Sequence, residues 1–136
     1  MSLIIASLNS GSNGNCYYIG NENEAVLIDA GISCRETEKR MKRLGLSLNK
    51  IRAIFISHEH KDHTAGMDDI RSFNFLQKKN MPIHARETVI NQLKQEFAYV
   101  FEKEKYPGVP KVQVNIIDGK PFYIDDILIT PIETLH

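Results

Sequence analysis

The fold of this chain is decided by the stretch Ser57-His58-Glu59-His60-Lys61-Asp62-His63, which follows directly on the apolar run Ala53-Ile54-Phe55-Ile56. The apolar run predicts a buried strand over residues 53–57, and the pattern from Thr64 onward predicts a helix to about Lys79. Three of the chain's five histidines and one aspartate therefore lie between a strand and a helix. Imidazole nitrogen and carboxylate oxygen are ligands that zinc and related divalent ions prefer. The stretch predicts a metal site.

The spacing of these residues indicates how they divide between metal ions. Side chains two apart on an extended segment point the same way, so His58 and His60 can reach one ion together while Glu59 points away. Asp62 and His63 lie near a helix N-terminus, whose partial positive charge favours anions. They can serve a second ion close to the first, as two-metal hydrolases require.

Composition excludes several classes of protein. Seventeen basic and 17 acidic residues among 136 give a formal net charge of zero, so no global basic field would attract nucleic acid. The basic stretch 35–50 is open to a local interaction, although a solvated helix face is the usual role of such charge. No apolar run reaches membrane-spanning length and the N-terminus lacks a signal pattern, which predicts a cytoplasmic protein without a membrane partner. The two cysteines, Cys16 and Cys34, form neither a disulfide framework nor a closed structural zinc site.

Hydrophobic periodicity predicts an α/β fold in which one mixed β-sheet is covered by helices on its outer face. A capping box formed by Ser33 and Glu36 begins the first helix, and Gly45 suits its end. Charged residues, two prolines and a glycine mark 102–110 as a loop. The predicted strands are 3–8, 16–19, 25–29, 53–57, 81–85, 112–116, 122–124 and 127–130, and a further helix covers about 89–100.

Two other features allow more than one interpretation. The Gly/Ser-rich segment 10–15 can expose backbone N–H groups to an anion, but a turn between two strands is favoured because such compositions are common in turns. His84 lies within a predicted strand, and a lone histidine there is favoured as structural or surface rather than as a ligand.

At three places the chain resembles a known family. His58-x-His60-x-Asp62-His63 matches the H-x-H-x-D-H signature of the metallo-β-lactamase superfamily. The segment Val26-Leu27-Ile28-Asp29-Ala30-Gly31 is similar to that superfamily's first motif, an apolar strand ending in Asp-x-Gly. The N-terminal segment, Ser10-Gly11-Ser12-Asn13-Gly14-Asn15-Cys16-Tyr17-Tyr18-Ile19, resembles the WalJ/YycJ-like branch of cytosolic hydrolases. The resemblance runs from about Leu3 to the C-terminus.

The resemblance implies a fold and a role for each motif residue. The fold is the N-terminal half of a metallo-β-lactamase-type αβ/βα sandwich. His58 and His60 would bind the first metal, and His136, which follows a late strand, would complete its three histidines. Asp62 and His63 would bind the second metal, with Asp62 also the residue assigned to catalysis. Asp29 would support the ligand loop without binding metal. The implied cofactor is a divalent metal, two zinc ions first, with manganese or iron as alternatives.

The implied function is hydrolysis by a metal-activated water, most simply of phosphodiester bonds in a small molecule or a nucleic acid. The alternatives are another ester or thioester hydrolase on the same fold, and a metal-binding fragment without catalysis of its own. The superfamily carries two further ligand motifs that would follow His136. We therefore expect residues 1–136 to be a domain incomplete at its C-terminus, with low occupancy of the second metal and little turnover. An exposed apolar sheet face would also favour self-association into a homo-oligomer.

Overall fold

The computed structural model describes residues 2–58, 60–104 and 106–133 of the chain. Eight strands and five helices lie within these residues, together with short 3-10 helices at Leu48–Lys50 and Met67–Asp69. The strands are β1 (Ile4–Asn9), β2 (Cys16–Gly20), β3 (Ala25–Ile28), β4 (Ile51–Phe55), β5 (Met81–Ala85), β6 (Val112–Ile116), β7 (Phe122–Ile124) and β8 (Ile127–Ile129). The helices are α1 (Cys34–Arg43), α2 (Lys61–Thr64), α3 (Ile70–Gln77), α4 (Glu87–Glu96) and α5 (Ala98–Phe101). The predicted α/β class is confirmed.

Strands β1 to β6 form one mixed sheet in chain order. The first three strands are antiparallel neighbours, whereas β3, β4, β5 and β6 run parallel. Parallel neighbours need crossover connections, and the helices between β3 and β6 supply them. Helix side chains such as Met41, Phe73 and Leu93 share one buried core with Leu27 and Ile54 of the sheet. One face of the sheet is therefore covered by helices.

The opposite face of the sheet is covered in part by the hairpin of β7 and β8, which corrects the prediction of a single sheet. Among the strands of the described residues, these two pair only with each other. Their side chains pack on Val26, Ala53 and Phe55. The turn of the hairpin is tied to the sheet by the backbone N–H of Asp126, which donates to Oε1 of Glu24 at 2.9 Å. The hydrophobic pattern of 122–130 predicts the two strands correctly, but it does not indicate that they form a separate sheet.

The helix predicted from Thr64 to Lys79 is interrupted. In a continuous helix the N–H of Gly66 would donate to the carbonyl of Asp62. Instead it donates to the carbonyl of Ala30 at 2.6 Å, and the Asp62 carbonyl accepts the N–H of Asn15 at 2.6 Å. These long-range bonds end α2 after one turn, and α-helix resumes only at Ile70, after the 3-10 helix Met67–Asp69.

Most local predictions agree with the structure. Ser33 caps α1 by accepting the N–H of Glu36 at 3.2 Å, and Gly45 follows the helix with a φ of 72°. Strand β4 ends at Phe55 rather than Ser57, because the N–H of Ser57 donates to the side chain of Asp29 instead of continuing a ladder. No helix in the described part of the chain combines the length and the apolar character needed to cross a membrane.

Candidate metal centre

Three loops meet at the carboxyl ends of the central strands. They follow the edge strand β1 and the central strands β3 and β4. The first two loops contain Asn15 and Gly31, and the third leads into α2, where Asp62 lies. The Gly31 N–H donates to the Asn15 carbonyl at 2.9 Å, and the Asn15 N–H donates to the Asp62 carbonyl. A Cβ at Gly31 would overlap both the carbonyl oxygen of Asp62 and the nitrogen of Asn15, so this close approach requires glycine. Crevices at the carboxyl ends of strands in open α/β sheets are where ligands bind.

Asp29 supports the 57–63 loop, which carries the candidate metal ligands. Its side chain is only 4% exposed, and its backbone has a φ of 68°, a left-handed conformation that is costly for a residue with a Cβ. The carboxylate accepts the N–H of Ser57 at 2.7 Å and the hydroxyl of Ser57 at 2.7 and 2.9 Å. It also lies 2.6 Å from Nδ1 of His63. Asp29 thus fixes both ends of the 57–63 loop.

The contact with Asp29 sets the tautomer of His63. A carboxylate can only accept a hydrogen bond when ionised, so Nδ1 of His63 carries the proton. The neutral imidazole then presents its lone pair at Nε2. A carboxylate that holds the far nitrogen of a histidine is the usual support for a metal-ligating imidazole, because it fixes the ring and raises its basicity.

Nε2 of His63 faces a second acidic oxygen. It lies 3.3 Å from Oδ2 of Asp62, whose side chain is about one-third exposed. With His63 neutral, a lone pair and an anionic oxygen face each other without a proton between them. The pair needs either a second proton on His63 or a cation. Two ligands of a tetrahedral zinc ion, bound at about 2.0–2.1 Å, are themselves roughly 3.3 Å apart, so the spacing fits such a cation.

His58 and His60 lie beside this pair. The ring centroids of His58 and His63 are 4.8 Å apart, and those of His58 and His60 are 6.1 Å apart. Nδ1 of His58 is 3.1 Å from the hydroxyl of Ser57. His60 is the N-cap residue of α2, with an extended backbone conformation. The four ligand candidates of the loop are gathered at one edge of the sheet.

The described residues bring the candidate metal ligands close to one another two at a time, as in His63 with Asp62. Within 2–58, 60–104 and 106–133, no three side chains of His, Cys, Asp or Glu converge into a group that could hold an ion. The prediction that His136 completes a set of three histidines concerns a residue outside the described part of the chain, as does the prediction for Glu59. The donor chemistry and the His63–Asp62 spacing fit a divalent cation, whereas a full coordination set is not formed by these residues.

Two polar residues of the centre were missed by the sequence analysis. Asn15 donates from Nδ2 to Oδ2 of Asp62 at 3.2 Å, and its Oδ1 accepts the N–H of Gly11 at 3.2 Å, which orients the amide. Ser57 links the Asp29 carboxylate to the rings of His58 and His63. The signal for Asn15 was its place in the quoted Gly/Ser-rich motif, and for Ser57 its position directly before the histidines.

The remaining candidates are one histidine of β5 and two buried cysteines. The ring of His84 stacks on those of Phe55 and Phe122, with centroid distances of 4.9 and 5.1 Å, and burial lowers its pKa. Burial raises the pKa of the Cys16 thiol to about 12 and that of Cys34 to about 11. Both thiols are therefore protonated near neutral pH and are poor ligands or nucleophiles.

The sequence profile of the Beta-lactamase superfamily domain matches residues 24–136, which include both the Asp29 motif and the 57–63 loop. The chain belongs to the metallo-β-lactamase superfamily. This confirms the family predicted from the His58-x-His60-x-Asp62-His63 signature. The assignment rests on the match over most of the chain, and the ligand roles of individual residues stay predictions.

Relatives within the superfamily differ in their named activities. The chain is 31% identical over 106 residues to exodeoxyribonuclease YycJ of Bacillus anthracis, covering 78% of this chain and 38% of that protein. It is 28% identical over 116 residues to an octanoyltransferase of Porphyromonas gingivalis, covering 82% of this chain and 23% of that protein. The chain thus spans less than half the length of either relative.

The fold is supported by solved structures. A crystal structure described as a new diphosphatase from the PhnP family superposes with a TM-score of 0.65 at 22% identity. The superposition covers 93% of this chain and 48% of that one. Together with the mixed sheet and its helices, this confirms the predicted metallo-β-lactamase-type architecture over about half of such a structure.

Proposed function

We propose that this chain carries the metal-binding loop of a metal-dependent hydrolase that acts on phosphodiester bonds. The observation that carries the proposal is the Asp29–His63–Asp62 arrangement. A buried carboxylate holds Nδ1 of His63, so that Nε2 faces Oδ2 of Asp62 at the spacing of two ligands on one ion. His58, His60, His63 and Asp62 would hold the metal, and His136 stays a proposed ligand.

When bound by these residues, a divalent ion would supply Lewis acidity for the scissile group and would lower the pKa of a water towards neutrality. The chain's own residues do the rest. Asp29 keeps the proton of His63 on Nδ1 and orients the ring. Asn15 donates to Oδ2 of Asp62 and so limits the directions in which that carboxylate can turn. Ser57 bridges Asp29 to the two nearest imidazoles.

Phosphodiester chemistry is favoured by the similarity to exodeoxyribonuclease YycJ, with 31% identity over most of this chain. A nuclease or another phosphodiesterase would use zinc, manganese or iron at the same donors. The octanoyltransferase relative favours a second candidate, hydrolysis of a thioester or ester. That candidate is weaker because the matched part is only 23% of the relative, so its named activity can belong to the remainder.

The test is hydrolysis by the native gene product, whose mass is measured first. The purified protein is stripped with a chelator, reloaded with zinc or manganese, and assayed on a labelled single-stranded oligonucleotide and on an octanoyl thioester. We expect metal-dependent cleavage of the oligonucleotide and its loss in Asp62→Asn. Asp126→Asn, at an exposed position of the β7–β8 turn, is the matched control and keeps full activity.

Three outcomes would contradict the proposal. Thioester cleavage without oligonucleotide cleavage would support the second candidate. Cleavage that survives complete removal of metal would rule out the metal-dependent mechanism. Metal binding at the centre with no turnover on either substrate would support a metal-binding module without catalysis.

A further inference from the structure

A basic pocket lies at the opposite end of the sheet from the candidate metal centre. Its volume is about 370 Å³. The pocket is found where α3 ends and β5 and β6 begin, whereas the metal centre lies at the carboxyl ends of β3 and β4. We define the basic pocket by six of its lining residues, Arg71, Asn74, Phe75, Lys78, Lys79 and Lys111.

The charge of the basic pocket is of one sign. It contains four cationic side chains, from Arg71, Lys78, Lys79 and Lys111, and among the described residues no acidic one lines it. As far as the described residues extend, none of the four cations lies within ion-pair distance of a carboxylate. In a chain with zero formal net charge, this is a local concentration of positive charge without internal compensation. Such a surface attracts anions.

Asn74, which lines the basic pocket, joins the segment after α3 to the start of β6. Nδ2 of Asn74 donates to the carbonyl of Lys79 at 3.0 Å and to that of Lys111 at 2.8 Å. Its Oδ1 accepts the N–H of Lys111 at 2.8 Å. One side chain therefore fixes the end of α3 against the start of β6, so the cations project from a fixed backbone.

An aromatic ring completes the pocket. Phe75, on α3, is 88% exposed. Residues 71, 74 and 75 are spaced as i, i+3 and i+4, so they form one stripe along the helix, and Lys78 follows as its C-cap residue. In the chain, the ring of Phe75 therefore lies between the cations of Arg71 and Lys78. α3 is eight residues long, so the stripe extends roughly 12 Å, from the end nearer the metal loop towards the far end of the sheet.

Helix-dipole stabilisation explains only part of this charge. Lys78 and Lys79 follow the C-terminus of α3, where cations interact favourably with the helix dipole. Arg71 lies in the first turn of the same helix, where a cation is unfavourable. Lys111 belongs to a different element. The four cations share a location, and an anionic ligand accounts for all of them.

We propose that the basic pocket is a binding site for single-stranded nucleic acid, with the cations on the phosphates and Phe75 as a stacking platform for a base. Grooves that bind single strands without sequence preference combine these two elements, cationic side chains along the backbone and exposed aromatic rings. A double helix cannot use the ring, because its bases are already stacked. The site rests on the proposed function for the identity of the anion, and it names single strands as the substrate class.

The test is binding measured in a chelator, where hydrolysis cannot occur. Fluorescence anisotropy follows a labelled oligothymidylate of about 15 nucleotides, within the ~4–16 nucleotide footprint of such grooves. We expect Lys78→Gln/Lys79→Gln/Lys111→Gln to weaken binding about tenfold or more, and to reduce the slope of log affinity against log salt by about 2, at ~0.7 per lost phosphate contact. We expect Phe75→Ala to weaken binding about fivefold or more.

Two matched controls separate the pocket from general charge and hydrophobicity. The triple variant Arg35→Gln/Lys39→Gln/Arg43→Gln removes the same charge from exposed positions of α1 and should change affinity by less than about twofold. Leu76→Ala removes an exposed apolar side chain next to Phe75 that does not line the pocket, and should leave binding unchanged. Circular dichroism verifies that each variant is folded.

The outcomes are decisive for the pocket independently of catalysis. Equal weakening by the α1 and pocket triple variants would overturn the proposal, because it would show a diffuse charge effect. Equal affinity for a duplex or for poly-glutamate would overturn the single-strand assignment. If binding in the chelator depends on the pocket residues but no hydrolysis is found, the proposed function is contradicted and the binding site is supported. If hydrolysis is found but binding does not depend on the pocket residues, only the binding-site proposal is contradicted.

Discussion

Removing the carboxylate of Asp29 tests the ligand loop most sharply. In Asp29→Ala, the N–H of Ser57 and the Nδ1 proton of His63 lose a charged acceptor at 2.7 and 2.6 Å. Hydrogen bonds to charged groups contribute roughly 1.5–3 kcal/mol each, and Ser57 is exposed enough for water to replace part of that. We therefore expect Asp29→Ala to lower the free energy of unfolding by about 2–3 kcal/mol.

Comparing Asp29→Gly with Asp29→Ala separates the contribution of the hydrogen bonds to stability from the cost of backbone strain. Glycine adopts a φ of 68° without the penalty of a Cβ, which is about 1 kcal/mol or somewhat more. The glycine variant should therefore be more stable than the alanine variant by about 1 kcal/mol, yet still less stable than the wild type. Asp125→Gly is the matched control, because Asp125 also has a positive φ, of 47°, while its half-exposed side chain forms an ion pair with Arg52. We expect Asp125→Gly to be neutral or slightly stabilising.

The assay is urea unfolding of the metal-free protein, followed by zinc titration of each variant. Loss of the carboxylate that orients a ligating histidine typically costs about 10–100-fold in metal affinity, so both Asp29 variants should bind zinc that much more weakly. The reasoning is refuted if Asp29→Gly matches the wild type in stability and in zinc affinity. It is refuted equally if the Asp125→Gly control loses as much.

Two further predictions concern other parts of the fold. Burial lowers the pKa of His84 in the folded protein below its unfolded value of about 6.5, so the unfolded chain binds more protons below that pH and stability falls as pH drops from about 6.5 through the folded pKa. Urea unfolding between about pH 8 and pH 5 measures this, and His84→Phe should flatten that part of the profile; an unchanged profile would contradict it. Gly31→Ala forces a Cβ into the carbonyl of Asp62 and should destabilise the protein by about 1–3 kcal/mol, since overpacking costs that much. Thermal unfolding would check it, with Gly108→Ala, where space is open and only a positive φ is strained, as the milder control.

The elements of this fold that depend on local pattern could be predicted from the sequence. The apolar run before His58, the Ser33 cap and the alternation in 112–116 each identify an element by its own residues. The family was predicted correctly from the motif at 58–63 and the Asp29 motif. These signals are local because helix caps and strand alternation depend on neighbours only a few residues away.

Other features depend on partners far apart in sequence, and local pattern does not encode them. The break after α2 follows from the bond between Gly66 and Ala30, and the support of Asp62 by Asn15 joins residues 47 apart. The placement of the β7–β8 hairpin depends on Phe122 packing against Phe55 and His84. Each of these is a tertiary contact that competes with a reasonable local alternative.

The predicted metal site depends partly on local pattern and partly on contacts between residues far apart in sequence. The sequence identified His58, His60, Asp62 and His63 as neighbours, and the structure places them at one edge of the sheet. The sequence did not predict the hydrogen bonds of Asp29 and Ser57 that orient His63. Those contacts join the end of β3 to the loop after β4, so they exist only once the parallel sheet has formed.

Zinc titration against a competing chelator tests the central claim most directly, with the wild type, His63→Gln and His84→Gln compared side by side. His84 is the matched control because it is a histidine of the same chain whose ring stacks on the rings of Phe55 and Phe122. The account predicts measurable zinc binding by the wild type and by His84→Gln. It predicts an affinity at least tenfold weaker in His63→Gln, because that variant loses a proposed ligand. Equal zinc affinity in all three proteins, or none in the wild type, would contradict it.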